Sequence, residues 1–176
     1  MAQIRSASPS DAPELAELYR WYVERTAVTY EYAAPDAEAF LARMRGVMES
    51  YPYLVAEEDG RCVGYAYAAA FHPREAYRFS VETVIYLRRD ARGRGLGREL
   101  YAALEAELRA RGFRNLYACI GWPDVPDEYL TRASAVFHER MGYRRCGYFR
   151  RCGYKFGRWY SMIWMEKIIA EDTDPA

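Results

Sequence analysis

Residues 80–112, SVETVIYLRRDARGRGLGRELYAALEAELRARG, set a strand, a glycine-arginine loop and a helix in immediate succession. The first eight are rich in β-branched and aromatic side chains, which suit a pleated, half-buried surface. Beyond the loop, Leu96, Leu100, Leu104 and Leu108 recur every four residues, so the spacing predicts an amphipathic helix to Arg111, stopped by Gly112. A strand that passes straight into such a helix must lay it back across its own sheet, which commits the chain to a layered α/β fold. Gly93, Gly95 and Gly97 free the loop backbone to turn its amides outward, and a helix N-terminus behind such a loop is a ready anion site.

The flanking sequence supplies the other layers. Gln3–Ser6 reads as a short first strand. Ser8, Pro9 and Asp11 form a helix start signal, with the carboxylate reaching back as in a capping box, and Leu15, Leu18, Tyr19 and Tyr22 carry that helix to Glu24. RTAVTYEYAAP has no helical period and reads as a loop; Phe40, Leu41, Met44 and Val47 then give one face of a second helix over 36–50. YLVAEEDGRCVGYAYAAAF is a hairpin around Glu58-Asp59-Gly60, LYACI a short buried strand, and 132–141 a shorter helix ended by Gly142. YRRCGYFRRCGYKFGRWYSMIWMEK reads as two strands joined by a glycine turn, and EDTDPA as tail. The interleaving predicts an α/β (mixed α+β) domain over 1–169, one sheet with helices on its faces, and a disordered tail over 170–176.

The totals exclude several functions. Basic and acidic residues are equal at 25 each, so no global field draws nucleic acid or membrane. Arg88, Arg89, Arg92, Arg94 and Arg98 form a basic cluster, but no aromatics interleave with it to stack bases. No apolar run is long enough to span a bilayer, and MAQIRSASPSD lacks the apolar core of a secretory signal. Cys62, Cys119, Cys146 and Cys152 include no C-x-x-C pair and only two histidines accompany them, which argues against a metal site and for free thiols in a cytoplasmic protein.

Three glycine patterns bind phosphate. The P-loop needs Gly-Lys-Ser/Thr, which is absent, and G-x-G-x-x-G fails because its last position is Arg98 from Gly93 and Leu100 from Gly95. The third, Arg/Gln-x-x-Gly-x-Gly, is met by Arg92, Gly95 and Gly97. Here the sequence resembles the GNAT superfamily of N-acetyltransferases, whose fold is a central mixed, mostly antiparallel sheet flanked by helices. RSASPSDAPELAELY, YPYLVAE, VGYAYA, FHERMGY and GYKFGRWY, in that order and with the loop, are similar to the phosphinothricin acetyltransferase-like branch.

The resemblance implies acetyl-CoA as co-substrate, no metal, and a small primary amine as acceptor, such as an amino acid or a phosphinothricin- or methionine sulfoximine-like analogue. Arg92, Gly93, Arg94, Gly95, Leu96, Gly97 and Arg98 then hold the pyrophosphate, and Ile85, Tyr86 and Leu87 follow the pantetheine arm through their backbone. Glu82 corresponds to the base that takes the ammonium proton. His138 falls where a proton donor to the leaving thiolate stands in many relatives, or serves as an acceptor-side residue, and equally suits a helix histidine bonded to a neighbouring carbonyl. The family's usual Asn is replaced by Thr131, so Thr131, Asp124 or Ser134 is left to make its contact; Ser134 matches a position the family uses. Thr29, Tyr30, Arg74, Tyr77 and Arg78 lie in the acceptor-side segments. The aromatic FGRWYSMIW stretch favours a homodimer over a monomer, or lines the cleft. Two rivals stand beside direct transfer: a Cys119 nucleophile, which lacks a sequence-adjacent base, and a non-catalytic acyl-CoA sensor.

Overall fold

The structure is a computed structural model and describes residues 2–170; the expected tail from Glu171 onward lies outside the described residues. Strands β1 (Gln3–Ser6), β2 (Tyr53–Glu58), β3 (Arg61–Ala70), β4 (Ser80–Leu87), β5 (Asn115–Trp122), β6 (Arg144–Lys155) and β7 (Arg158–Ile168) alternate with helices α1 (Ala12–Arg25), α2 (Ala37–Met48), α3 (Leu96–Ala110) and α4 (Ala133–Arg140). Among the described residues the strands form one sheet in the order β1-β2-β3-β4-β5-β7-β6. Every pairing is antiparallel except β4 with β5.

Local chemistry accounts for the boundaries. A 3-10 turn at Pro9–Asp11 opens the first helix, with the Ser8 amide donating to Asp11 Oδ2 at 2.7 Å, so α1 proper begins at Ala12. Asp36 caps α2 by accepting the Ala39 amide at 2.8 Å. The β2–β3 turn places Asp59 and Gly60 at φ 53° and 74°, and the β6–β7 turn places Phe156 and Gly157 at 51° and 73°; two consecutive left-handed residues match the twist of a tight hairpin. β5 runs past the expected LYACI to Trp122, because β7 pairs with it as far as Trp122↔Ser161.

Each sheet face has its own core. Leu15, Leu18, Tyr22, Phe40 and Met44 of α1 and α2 pack on Tyr53, Val55 and Tyr65. On the other face, Leu100, Leu104 and Leu108 of α3 are fully buried against small strand residues such as Ala56, Ala66 and Ala118, which let the helix approach the sheet closely. The edge strand β6 is protected by exposed Arg144, Arg145, Arg150 and Arg151 and by a bulge between Phe149 and Gly153.

Candidate active site

The site originates in a split of the sheet. β4 and β5 pair only over Ser80↔Asn115, Leu116↔Val81 and Glu82↔Tyr117, although both strands continue. β4 stays paired with β3 up to Gly64↔Leu87, and β5 with β7 up to Trp122↔Ser161. Beyond Glu82 the two halves therefore diverge and leave a wedge.

Strand alternation shows which backbone groups face that wedge. Arg88 donates its amide to Val63 O at 2.9 Å, so Arg88 and, two by two, Tyr86, Val84 and Glu82 bond to β3. Thr83, Ile85 and Leu87 point the other way. The Leu87 carbonyl accepts from the Tyr22 hydroxyl at 2.6 Å, and its amide donates to that hydroxyl at 3.3 Å. Ile85 is thus the position past the last β4–β5 pair whose amide faces the wedge with no strand paired to it among the described residues.

A cleft of about 290 Å³ fills this wedge and brings together Thr29, Glu82, Ile85, Tyr86, Ser134 and His138 of the expected residues, with Tyr30 and Cys119 beside them. Glu82 is half-buried, and desolvation raises its pKa above the ordinary carboxylate value. It lies near the phenol of Tyr67 and the thiol of Cys119; Cys119 is exposed as a residue, but desolvation of its thiol within the cleft, and then Glu82, push it up to about 12. A thiol held protonated in this way is a poor nucleophile.

His138 belongs to a buried polar chain on the α3 side of β4. It is 3% exposed; Nδ1 lies 2.7 Å from Ser134 O and Nε2 3.0 Å from the Tyr101 hydroxyl. A carbonyl only accepts, so Nδ1 carries the proton and Nε2 of the neutral ring accepts from Tyr101. Thr83 continues the chain, with Tyr143 at 3.0 Å and Tyr101 at 3.3 Å from its hydroxyl and Tyr117 O at 3.2 Å. Desolvation lowers the His138 pKa to about 4, the Ser134 carbonyl opposing it only in part.

The glycine loop lies at the end of β4. Gly93 and Gly95 have φ of 76° and 85°, with Gly95 as the N-cap of α3, and the first amides of that helix have no helical carbonyl to pair with. Gly97 is buried, and a Cβ there would come within 3.2 Å of both Leu87 and Phe137, so α3 starts as close to β4 and α4 as glycine permits. The arginines divide. Arg92 donates to the Tyr22 hydroxyl at 2.6 Å and stacks on Trp21 and Tyr22. Arg94 makes a two-pronged ion pair with Glu58 at 2.5 and 2.9 Å, away from the cleft, and Arg98 is exposed on the first turn of α3.

Other expected residues lie elsewhere. Arg74 and Tyr77 are exposed on the β3–β4 connection and do not line the cleft; Tyr77 packs on Phe71 and His72, and Arg78 on Phe79. Asp124 accepts from Tyr148 at 2.9 Å and Thr131 from the Ala133 amide at 3.3 Å, so of the three residues offered for the missing Asn contact only Ser134 lines the cleft. Three residues escaped the sequence reading. Tyr22, Thr83 and Tyr101 look like core positions, and only the fold shows that their hydroxyls join the loop, β4 and His138. Among the described residues no cluster of three His, Cys, Asp or Glu side chains suits a metal, and no helix is long and apolar enough to cross a membrane.

Comparison with known proteins agrees with this geometry. Residues 4–164 match the acetyltransferase (GNAT) domain. The chain is 35% identical to the phosphinothricin N-acetyltransferase of Alcaligenes faecalis over 97% of this chain and 84% of that one. It is 34% identical to an L-methionine sulfoximine/L-methionine sulfone acetyltransferase of Pseudomonas aeruginosa, over 94% and 93% of the two chains. The crystal structure of a Sinorhizobium meliloti phosphinothricin acetyltransferase in complex with AcCoA superposes with a TM-score of 0.91 at 35% identity, covering 99% of this chain and 93% of the other. With a family match over nearly its whole length and the split sheet and glycine loop in place, this chain belongs to the GNAT acetyltransferase family.

Proposed function

We propose that this chain moves an acetyl group from acetyl-CoA directly to the primary amine of a small, amino-acid-like acceptor, with Glu82 as general base. The observation that carries the reading is Glu82 itself: a carboxylate with a raised pKa, facing a cleft between diverging strands, three residues before the Ile85 amide that faces the same wedge. Burial makes Glu82 a stronger base than a solvated carboxylate, suited to taking a proton from an ammonium group. The acceptor class follows the phosphinothricin and methionine sulfoximine acetyltransferases to which the chain is similar.

Acetyl-CoA supplies an activated acyl thioester when bound. The chain fits it at both ends. The amides at the start of α3, with the loop of Arg92, Gly93, Arg94, Gly95, Leu96, Gly97 and Arg98, offer donors to a pyrophosphate; Arg94 does so by leaving Glu58. Ile85 and Tyr86 line the cleft along the pantetheine path, Leu87 continues it with its backbone held by the Tyr22 hydroxyl, and the Ile85 amide would donate to an oxygen that gains charge. Ser134 lines the same cleft. His138, neutral at physiological pH, accepts the Tyr101 proton at Nε2 and so fixes that phenol in the cleft wall; Tyr101 would donate to a leaving thiolate only by turning its one O–H away from the ring. Thr29 lines the acceptor side; Arg74 and Tyr77 sit on a surface loop from which they would meet an acceptor only at the cleft's entrance. The reading includes a cytoplasmic homodimer, for which the free cysteines and exposed Phe149 and Trp159 are the support.

Thiol release from acetyl-CoA, measured over phosphinothricin, methionine sulfoximine, standard amino acids, polyamines and an alanine-ended peptide, tests the proposal. Turnover on an amino-acid-like amine is expected, falling by about 10²–10⁴-fold in Glu82→Gln. Activity confined to polyamines or the peptide would sink the acceptor class. Acetyl-CoA binding without turnover of any amine, unchanged by the substitution, would favour a sensor instead.

A further inference from the structure

The GYKFGRWY segment plays no part in the chemistry of Glu82 or the glycine loop, yet it contains a buried cation. Lys155 is 2% exposed, and among the described residues its ammonium enters no ion pair. Its three donors are all used on backbone carbonyls: Val23 O at 2.7 Å, Thr26 O at 2.8 Å and Thr29 O at 2.8 Å. Two of these close the C-terminal end of α1, where the helix dipole favours a positive charge, and the ring of Phe156 lies 5.1 Å away. Taking an ammonium out of water is costly, and desolvation lowers its pKa against the opposing field of the Glu31 carboxylate, while the three carbonyls supply the hydrogen bonds that water would have made.

The same hairpin grips the same loop at further points. The Tyr30 hydroxyl donates to Ser161 O at 2.6 Å, and that of Tyr32 donates to Tyr154 O. Gly153 lies flat under the Tyr30 ring, where a Cβ would come within 2.4 Å of it. The gripped segment, 26–32, supplies Val28, Thr29 and Tyr30 to the cleft wall opposite β4. The glycine loop, by contrast, is tied to α1 through Tyr22 and shares no hydrogen bond with the hairpin among the described residues.

Resting on the acceptor reading of that cleft, we propose that Lys155 is a positioning residue for the acceptor: it fixes the 26–32 segment, and so one wall of the acceptor pocket, without serving the acetyl-CoA side. Loss of the ammonium leaves three carbonyls unpaired and frees that wall, which should weaken acceptor binding selectively.

Lys155→Met, Lys155→Arg and Tyr30→Phe would be compared with wild type in steady-state kinetics, varying the best acceptor of the panel and acetyl-CoA separately, and in hydrogen exchange of the 26–32 peptide. Lys155→Met is expected to raise the acceptor KM about tenfold or more, leaving the acetyl-CoA KM within about twofold, and to lose exchange protection over 26–32 but not 88–98. Lys155→Arg should recover part of both effects, and Tyr30→Phe should shift both in the same direction by less. Equal rises in the two KM values, or an unchanged acceptor KM, would overturn the positioning role. Should Lys155→Met fail to fold, Tyr30→Phe decides by the same readouts, and no shift in either overturns it. A wild type that acetylates none of the panel refutes the acceptor reading and this inference together, whereas an active wild type without the KM split refutes this inference alone.

Discussion

Burial drives Glu82 and His138 towards their neutral forms, with opposite consequences for charge. Glu82 becomes a stronger base, while His138 loses its capacity to be a cation. The His138 pKa falls from 6.5 to about 4, so the unfolded chain takes up a proton in that window and the folded chain does not. Its contribution is complete above pH 6.5 and is lost as pH falls towards 4, to a total of about 3 kcal/mol. His138→Gln is therefore expected to flatten the pH dependence of urea stability between pH 6.5 and 4, and an unchanged slope would show the ring to be solvated. The placement of Glu82 on the central strand and of the glycines at the head of α3 was legible in the sequence because strand, loop and helix follow one another directly there. Tyr22 and Lys155 were not, because their partners are remote: Leu87 is 65 residues from Tyr22, and Val23 is 132 from Lys155. A tyrosine on an apolar helix face and a lysine in a strand look like core and surface until the fold brings those partners in.

Among the elements, α3 and the loop before it match their sequence signals closely, from the four-residue leucine spacing to the Gly112 stop at φ 83°. Gly95 is the critical joint, since its left-handed conformation aims the first turn of α3. Gly95→Ala should cost about 1–2 kcal/mol in urea denaturation and weaken acetyl-CoA binding in titration calorimetry, and unaltered values for both would remove the loop from the cofactor site. The elements read less well are those whose length depends on a distant partner. Gly121 and Trp122 precede a proline and look like loop, but β7 keeps them in the sheet. The bulge of β6, with Arg151 at φ 47°, has no local signal because it reflects two strands of unequal length kept in register.

For the whole molecule, the three-pair seam between β4 and β5 is the shortest join of the sheet among the described residues, and the cleft of the proposed site opens where it ends. A ligand bridging the two halves binds the folded state alone, so acetyl-CoA at a hundred times its Kd should add about 2.7 kcal/mol and raise the melting temperature accordingly. CoA with its thiol blocked should do nearly as well; a null shift with both would show that neither binds the folded chain. The layered α/β class was legible from interleaved strands and helices, but the strand order was not, since nothing local says that β7 inserts between β5 and β6.

The two lysines of the chain, set against 23 arginines, acquire a further meaning in a protein that works beside a reactive thioester. Lys155 is enclosed by carbonyl oxygens, and Lys167 is bound by both carboxylate oxygens of Glu105 at 2.7 and 2.9 Å. Guanidinium groups, which stay protonated, take up nearly all of the positive charge at the surface. The described part of the molecule thus presents no free lysine amine to its own acyl donor, and is shielded by composition from the slow self-modification to which a lysine-rich acetyltransferase would be open.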